Sequence, residues 1–330
     1  MLNPLLLGVL ASAIIFEFIN GFHDTANTIA TTVYTRALPV RTAILMSAAM
    51  NFIGALTSEK VAMTIAHGLV NVPLELYVIL AALLGAIVWD LATWWFSIPS
   101  SSSHALIGSL IGATIVFTRQ LGTVEWSGVV EKVLIPLFTS PLIGLCIGFL
   151  LMKALLELFA YWHPSRANAL FHKLQIASSL IMSYSHGNND AQKTMGIITL
   201  ALIAAGALPE GSGVPMWVKI TCAATMALGT SIGGRRIMKT VGNGVTKLDS
   251  ALGFAAQVSS AVAIETMTAL GAPVSTTQVL TTSIMGAGSV RGAKKVKWGM
   301  AGSIFTAWIV TLPATMALGG LCALIIGMFM

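Results

Sequence analysis

Two carboxylates, Asp24 and Asp190, lie in closely similar polar motifs that interrupt apolar stretches of the chain. The first motif reads NGFHDTANTIA from Asn20, and the second reads HGNNDAQKTMG from His186. Carboxylate, amide and backbone oxygens together suit a hard cation such as Na⁺ or a divalent metal ion. Each motif therefore predicts a cation site. The neighbouring amides and hydroxyls that would complete these sites are Thr25, Asn27, Thr28, Asn188, Asn189, Gln192 and Thr194.

The same motifs allow other roles. Each aspartate has a histidine nearby, His23 or His186, and such a pair could instead hold and release a proton. Each aspartate could also cap a following helix segment. Lys193 lies one helical turn after Asp190 and could neutralise it. Because Lys193 occupies the position that Asn27 has in the first motif, the second motif is the weaker candidate for a metal site.

Two runs of hydroxyl residues, each led by a proline, form a second pair of motifs: PSSSSH from Pro99 and PVSTTQ from Pro273. Proline disfavours a helix in the residue before it and suits the first turn of a new helix. The free N–H groups and positive dipole end of such a helix start attract anions, and hydroxyl side chains add donors. Two starts facing each other would enclose a tetrahedral oxyanion such as phosphate or sulfate. The predicted ligands are Ser101, Ser102, Ser103, Ser275, Thr276 and Thr277.

The remaining polar residues in apolar surroundings have two interpretations each. The hydroxyl runs could merely let helices approach closely or bond to their own carbonyls, but two proline-led runs at matching positions favour the anion site. His104 and Gln278 follow the runs and could close the anion site or only pack against it. The carboxylates of Glu17, Asp90 and Glu265 could relay protons or pair with a buried lysine or hydroxyl.

The composition indicates that these motifs lie in a protein embedded in the lipid bilayer. Of the 330 residues, 56% are hydrophobic and 9% are charged, whereas soluble domains average about 25% charged residues. Apolar stretches close to the roughly 20 residues that cross a bilayer recur along the chain. A soluble binding module is therefore excluded. The net charge of +6 indicates membrane topology and not nucleic-acid binding, and no motif for an enzyme, such as HExxH, is present.

The polar motifs recur in the same order, which indicates an internal duplication. Gly21, Asp24 and Thr28 match Gly187, Asp190 and Thr194 at one constant offset, and the two hydroxyl runs match at another. The predicted organisation is a first repeat over residues 1–160, a short cytoplasmic link over 161–173 and a second repeat over 174–330.

Basic residues predict how the repeats are oriented. We assume that the N-terminus is outside and that each repeat crosses the membrane an odd number of times, five by our count of the apolar stretches. Most basic residues then face the cytoplasm. The repeats are then inverted and both termini lie outside, as in many secondary transporters. The basic residues assigned to the inside are Arg36, Arg41, Lys153, Arg166, Lys173, Arg235, Arg236, Lys239, Lys247, Arg291, Lys294, Lys295 and Lys297.

The predicted fold is thus an all-α polytopic membrane protein with two inverted-topology repeats, discontinuous helices, and Ser/Thr-rich helical hairpins at the repeat interface. Irregular backbone at membrane depth persists only where it lines a cavity or is buried in protein. Since glycine adjoins short polar side chains in both aspartate motifs, we expect a helix break at each of them.

The four motifs together resemble the inorganic phosphate transporter (PiT) family over essentially the whole chain. The form GFHDTAN is similar to the bacterial low-affinity branch, while Na⁺-coupled branches commonly carry GANDVAN. The resemblance implies phosphate bound between Ser101–Ser103 and Ser275–Thr277, cation sites around Asp24, Asn27 and Asp190, and a homodimer. It also implies coupling to protons, often with phosphate carried as a neutral metal–phosphate complex.

The predicted function is therefore import of inorganic phosphate across the bacterial inner membrane by cation symport. Protons are favoured over Na⁺, and no cofactor is expected beyond the co-transported cation or a divalent metal ion carried with phosphate. Coupling is required because moving charge against the membrane potential costs about 2.3 kcal/mol per charge per 100 mV. The alternatives are a Na⁺-coupled phosphate symporter, a sulfate permease on the same scaffold and a passive anion channel. Asp24, Asp190 or Glu265 could accept a hydrogen bond from HPO₄²⁻, which favours phosphate over sulfate.

Overall fold

The computed structural model describes residues 3–69, 74–232, 238 and 245–329, apart from the side chains of Met300 and Ser303. Within these ranges the regular elements are helices. Those of the first half are α1 (Pro4–Tyr34), α2 (Val40–Ala55), α3 (Lys60–His67), α4 (Leu76–Trp95), α5 (Ser102–Thr118) and α6 (Trp126–Leu158). Those of the second half are α7 (Pro164–Ala204), α8 (Met216–Ile232), α9 (Ser250–Ala269), α10 (Thr276–Ser289) and α11 (Trp298–Gly327).

Four of the described helices are long and apolar enough to cross a membrane, namely α1, α4, α6 and residues Ile304–Gly327 of α11. The α2–α3 pair would be a fifth span, bent by 64°. Five crossings in each repeat are therefore more than length and hydropathy alone support. The physical reason lies in helices such as α7, which carry many polar residues that are buried inside the protein rather than facing lipid.

The helix packing repeats between the two halves. α1 packs on α8 as α7 packs on α2, and the α4–α5 hairpin corresponds to the α9–α10 hairpin. The second helix of each hairpin is covered by the last helix of the other half, because α5 packs on α11 and α10 packs on α6. The two halves are therefore interlocked.

Two apolar cores lie on either side of a polar layer. Along α1, residues Leu6–Phe16 contribute to one core and residues Ala26–Ala30 to the other. Along α7, Met182 belongs to the second core and residues 191–202 to the first. Asn20, His23 and Asp24 of α1 and His186 and Asp190 of α7 are buried between these segments, so the fold holds them between the two cores.

The predicted helix breaks at the two aspartate motifs are wrong. α1 runs through residues 19–33 and α7 through residues 186–196 without interruption. The glycines instead permit close helix packing. A Cβ atom at Gly21 would lie 2.5 Å from the carbonyl oxygen of Met226 in α8, and one at Gly187 would collide with the backbone of Asn51 in α2. The discontinuities of the fold lie in the hairpins, at residues 96–101 and 270–275.

The connection between the halves is shorter than predicted. Residues 164–173 form the first turns of α7, which leaves residues 159–163 between α6 and α7. Pro164 suits the start of a helix because its missing N–H would have no partner there.

Several loops with basic residues meet at one end of the molecule. Thr35 Oγ1, beside the turn after α1, donates to Gln175 Oε1 of α7 at 2.7 Å. Arg291, after α10, pairs with Asp249 before α9. This clustering fits the predicted orientation, although the side of the membrane that this end faces stays a prediction. Three of the predicted inside residues lie outside the described residues: Arg235, Arg236 and Lys239.

A substitution pair on α1 tests the packing role of Gly21. Gly21→Ala should destabilise the protein by about 1–3 kcal/mol, because the added methyl group overpacks the contact with α8. Gly8→Ala is the control, since a Cβ atom at Gly8 meets nothing within 4 Å, and it should be neutral or stabilising by up to about 1 kcal/mol. Thermal unfolding in detergent, followed by size-exclusion chromatography, measures both; equal midpoints for the two variants would contradict the packing role.

Candidate functional site

The two aspartate motifs form one cluster in the polar layer, although the sequence predicts one site in each repeat. Asp24 of α1 and Asp190 and His186 of α7 each offer a ligand atom, and these atoms lie within 4.8 Å of one another. All three side chains are buried. Two carboxylates and an imidazole at such distances suit a metal ion, and they equally suit a shared proton.

Charged and polar partners surround both carboxylates. His23 Nδ1 lies 2.7 Å from Asp24 Oδ1. Lys193 Nζ lies 2.7 Å from Asp190 Oδ1, and the hydroxyl of Thr276 donates to Asp190 Oδ2 at 3.2 Å. At membrane depth an isolated carboxylate is costly, so these contacts explain why both aspartates can be buried.

The prediction that the hydroxyl runs begin helices is confirmed. Ser101 is the N-cap of α5 and accepts a hydrogen bond from His104 N at 3.2 Å. Ser275 is the N-cap of α10 and accepts one from Gln278 N at 3.3 Å. These two hydroxyl oxygens therefore satisfy N–H groups of their own helices. Ser102, Ser103, Thr276 and Thr277 form the first turns that follow.

Each aspartate helix contacts the helix start of the opposite half. Asn27 Nδ2 of α1 donates to Thr277 Oγ1 of α10 at 2.7 Å. Lys193 Nζ of α7 donates to Ser103 Oγ of α5. Asn27 and Lys193 occupy equivalent positions in the repeat, as do Thr277 and Ser103. The two contacts are therefore the same interaction, made once by an amide and once by an ammonium group.

One hydroxyl donor, at the start of α5, remains available to an anion. The hydroxyl of Ser102, a residue that is 1% exposed, makes no hydrogen bond of ordinary geometry among the described residues, although the carboxylate of Asp90 lies close to it. Leaving a buried hydroxyl without a partner costs about 1–3 kcal/mol, which favours a role in binding. The six predicted anion ligands are all between 1% and 3% exposed, so these residues are closed off from solvent.

Three amides that the sequence grouped with Asp190 lie away from the carboxylate cluster. Asn189 bridges to the α9–α10 connection, donating to Thr268 Oγ1 at 2.8 Å and accepting from Val274 N at 3.3 Å. Asn188 Nδ2 donates to the half-buried Glu265 at 3.1 Å. Gln192 Oε1 accepts from the backbone of α3 at 2.8 Å. The reason is helical geometry, because residues one or two positions from Asp190 point to other faces of α7.

The hydroxyls of the first motif also bond locally. Thr25 Oγ1 donates to the backbone oxygen of Gly21 at 2.6 Å, and Thr28 Oγ1 lies 2.7 Å from Ser47 Oγ of α2. In the second motif, Thr194 donates to the carboxylate of Glu17. The contacts of Thr28 and Thr194 hold α1 against α2 and α7.

Four further candidates have buried polar atoms without a partner in the described part of the chain. They are one carboxylate oxygen of Glu17, both carboxylate oxygens of Asp90, both ring nitrogens of His104 and the side-chain amide of Gln278. Glu265 differs from Asp90, its near-counterpart in the repeat, because it is only half-buried and accepts a hydrogen bond. Proton relay through these groups stays a prediction.

Sequence reasoning missed two contributors. Asn51 of α2 donates to Thr230 Oγ1 at 3.0 Å and contacts His186 Nδ1 at 3.1 Å. The sequence could have indicated this residue, because Asn51 is a single amide within an apolar stretch. The backbone oxygen of Val274 accepts from Lys193 Nζ at 3.1 Å and from Ser103 Oγ at 2.9 Å. No residue type could have indicated a carbonyl group, whose position depends on the fold.

Removing one member of the buried ion pair should destabilise the protein strongly. Asp190→Asn leaves the Lys193 ammonium without its carboxylate, which costs about 3–5 kcal/mol for a buried pair. Glu59→Gln is the control, because Glu59 pairs with Lys219 at 2.8 Å but is 41% exposed, and it should cost about 0–1 kcal/mol. Thermal unfolding in detergent compares them. A double change, Asp190→Asn with Lys193→Met, should recover part of the loss, and no recovery would argue against the pair as the cause.

Comparison with known proteins identifies the family. The phosphate transporter family profile matches residues 20–165 and 159–319. The chain is 44% identical to a probable low-affinity inorganic phosphate transporter of Bacillus subtilis (strain 168), over 97% of this chain and 96% of that protein. It is 27% identical to the low-affinity inorganic phosphate transporter PitA of Escherichia coli (strain K12), over 96% of this chain and 95% of that protein.

Comparison with a solved structure shows that a phosphate transporter has the same fold. The sodium-dependent phosphate transporter superposes with a TM-score of 0.90 at 24% identity, over 99% of this chain and 100% of that chain. The predicted all-helical membrane architecture and the resemblance noted in the motifs are both confirmed. The chain belongs to the phosphate transporter family, whose members are transporters and not enzymes.

Proposed function

We propose that the protein imports inorganic phosphate across the bacterial inner membrane by cation symport, with H⁺ favoured over Na⁺. The observation that carries this proposal is the meeting of two helix starts with two carboxylates in a closed polar layer. A phosphate site and a cation site then lie side by side, as coupled transport requires. Transport between the two sides needs the site to open alternately, since its residues are buried.

Phosphate would bind between the first turns of α5 and α10. The free backbone N–H groups there and the unpartnered hydroxyl of Ser102 are donors suited to an oxyanion. Lys193 places a positive charge at the same point through its contact with Ser103. Asp24 or Asp190 would accept a hydrogen bond from HPO₄²⁻, which sulfate cannot donate.

The preference for protons rests on His23. Its ring already occupies one oxygen of Asp24 at 2.7 Å, which a Na⁺ ion would otherwise use. The other ring nitrogen, Nε2, lies 3.4 Å from Thr93 Oγ1. Thr93 in turn borders a cavity of about 560 Å³ between α4 and α11, together with Pro99. The contacts from Thr93 to His23 and from His23 to Asp24 support proton transfer to Asp24 through these groups.

A divalent metal–phosphate complex is the second form of cargo that the site fits. Asp24, His186 and Asp190 would ligate the metal ion, and phosphate would bind beside it at the helix starts. Such a complex reduces the charge that must cross the membrane potential, which costs about 2.3 kcal/mol per charge per 100 mV. Orientation with both termini outside and assembly as a homodimer remain predictions.

Uptake by proteoliposomes tests the coupling. An inward proton gradient, with and without Mg²⁺, should drive ³²P-phosphate uptake that excess sulfate leaves unchanged. Asp24→Asn should abolish this gradient-driven uptake, because the amide cannot bind a proton or a metal ion in the same way. Glu210→Gln, at an exposed loop position, is the control and should transport normally.

The other outcomes of this assay separate the alternatives. Uptake that follows a Na⁺ gradient alone would replace the proton with Na⁺, as in the sodium-dependent relative of solved structure. Uptake without any gradient would indicate a channel. Sulfate uptake in place of phosphate would overturn the substrate assignment.

Ser102 provides a test of the phosphate site. Ser102→Ala should raise the KM for phosphate roughly tenfold or more, because a hydrogen bond to a charged group is worth about 1.5–3 kcal/mol. It should change the unfolding temperature little, since no hydrogen bond of ordinary geometry within the described protein is lost. Ser109→Ala on the same helix removes another buried, unpartnered hydroxyl, away from the helix start, and should leave the KM unaffected. Equal KM values for wild type and Ser102→Ala would remove Ser102 from the site.

A further inference from the structure

The ammonium group of Lys193 lies in a shell of oxygen atoms. The side chain is 1% exposed. Its Nζ lies 2.7 Å from Asp190 Oδ1 and 3.1 Å from the backbone oxygen of Val274, and it also contacts Ser103 Oγ. A carboxylate, a carbonyl and a hydroxyl oxygen are the ligand types that a hard cation such as Na⁺ takes in proteins.

The first half of the molecule presents the same position without an ammonium group. Asn27 is the repeat equivalent of Lys193, and Asp24 is the equivalent of Asp190. Asn27 makes the matching contact to the opposite helix start through its amide, at 2.7 Å from Thr277 Oγ1. Its carbonyl oxygen has no hydrogen-bond partner among the described residues. The first half therefore keeps an oxygen free for a cation, and the second half holds a cation of its own.

We propose that the Lys193 ammonium is a resident cation of the transport site, held on the oxygen ligands that an exchangeable ion would otherwise take. It neutralises Asp190 and presents positive charge at the start of α5, so the second half needs no ion from solution. The inference rests on the proposed function in one respect, namely that the anion which benefits from this charge is phosphate.

This arrangement has a consequence for stoichiometry. A tethered ammonium group assists anion binding but does not leave with the cargo, so it contributes nothing to the charge carried in each cycle. Exchangeable cations would then bind only at the Asp24 side of the cluster, beside His23 and His186. The side chain at position 193 thus determines how many cations accompany each phosphate.

Lys193→Asn tests the proposal, because it copies the first-half residue and removes the resident charge. The new amide oxygen, with Asp190, Ser103 and the carbonyl of Val274, would provide an oxygen shell for Na⁺. Equilibrium binding of ²²Na⁺ to the purified protein should therefore show an additional site in this variant. Its unfolding temperature should rise with NaCl but not with choline chloride.

Matched variants exclude general effects of the substitution. Lys193→Met removes the same charge but offers no ligand, and it should gain no Na⁺ site. Lys173→Asn changes an exposed lysine on the same helix and should behave as wild type. The double variant Asn27→Lys with Lys193→Asn keeps one ammonium group in the site, at the mirrored position. It serves as the test if the single variant does not fold, and it should bind Na⁺ at the second half.

The binding result is independent of transport. If Lys193→Asn and the double variant bind no more Na⁺ than wild type, the proposal is overturned even when wild-type protein transports phosphate. If the additional Na⁺ site is found but wild type transports no phosphate, the resident cation stands and the proposed function fails. In phosphate uptake, Na⁺ should restore activity to Lys193→Asn and not to Lys193→Met.

Discussion

A charged side chain buried at membrane depth must have an opposite charge or several polar partners beside it, and the Lys193–Asp190 pair is the place where this constraint is most severe. Both residues are about 1% exposed, and a buried charge without its partner is strongly destabilising. The pair also bonds to Ser103, Val274 and Thr276, which belong to the starts of α5 and α10. One ion pair therefore links the long helix α7 to both hairpins.

The rest of the fold follows from the need to keep this polar layer dry and fixed. Apolar cores lie on either side of it, and α1 and α7 pass through both. Glycines at matching positions let α8 and α2 approach these helices closely. Because the halves are interlocked, a movement that opens the site on one side must shift contacts made by both repeats. This is the behaviour expected when a site between two repeats alternates between faces.

The sequence predicted which residue types form the site better than it predicted the path of the backbone. Pro99 and Pro273 correctly located the starts of α5 and α10, since proline restricts its neighbours locally. Gly21 and Gly187 were misread as helix breaks, because a glycine that admits another helix and one that ends a helix look alike in one dimension. Asn188, Asn189 and Gln192 were assigned to the site by proximity along the chain, although a helix turns neighbours to different faces. The Val274 carbonyl could not be predicted because it depends on contacts between distant segments.

The packing of α5 on α11 and of α10 on α6 bears on how the protein is made. As the chain leaves the ribosome, α6 is already in the membrane when α10 emerges, so α10 finds its cover at once. The start of α5, by contrast, is synthesised long before α11, the last of the described helices. Its polar first turn and the close-packed glycine face at Gly108 and Gly112 must therefore stay without their final neighbour until α11 is synthesised. The two repeats are alike in the finished fold, but they cannot mature on the same schedule.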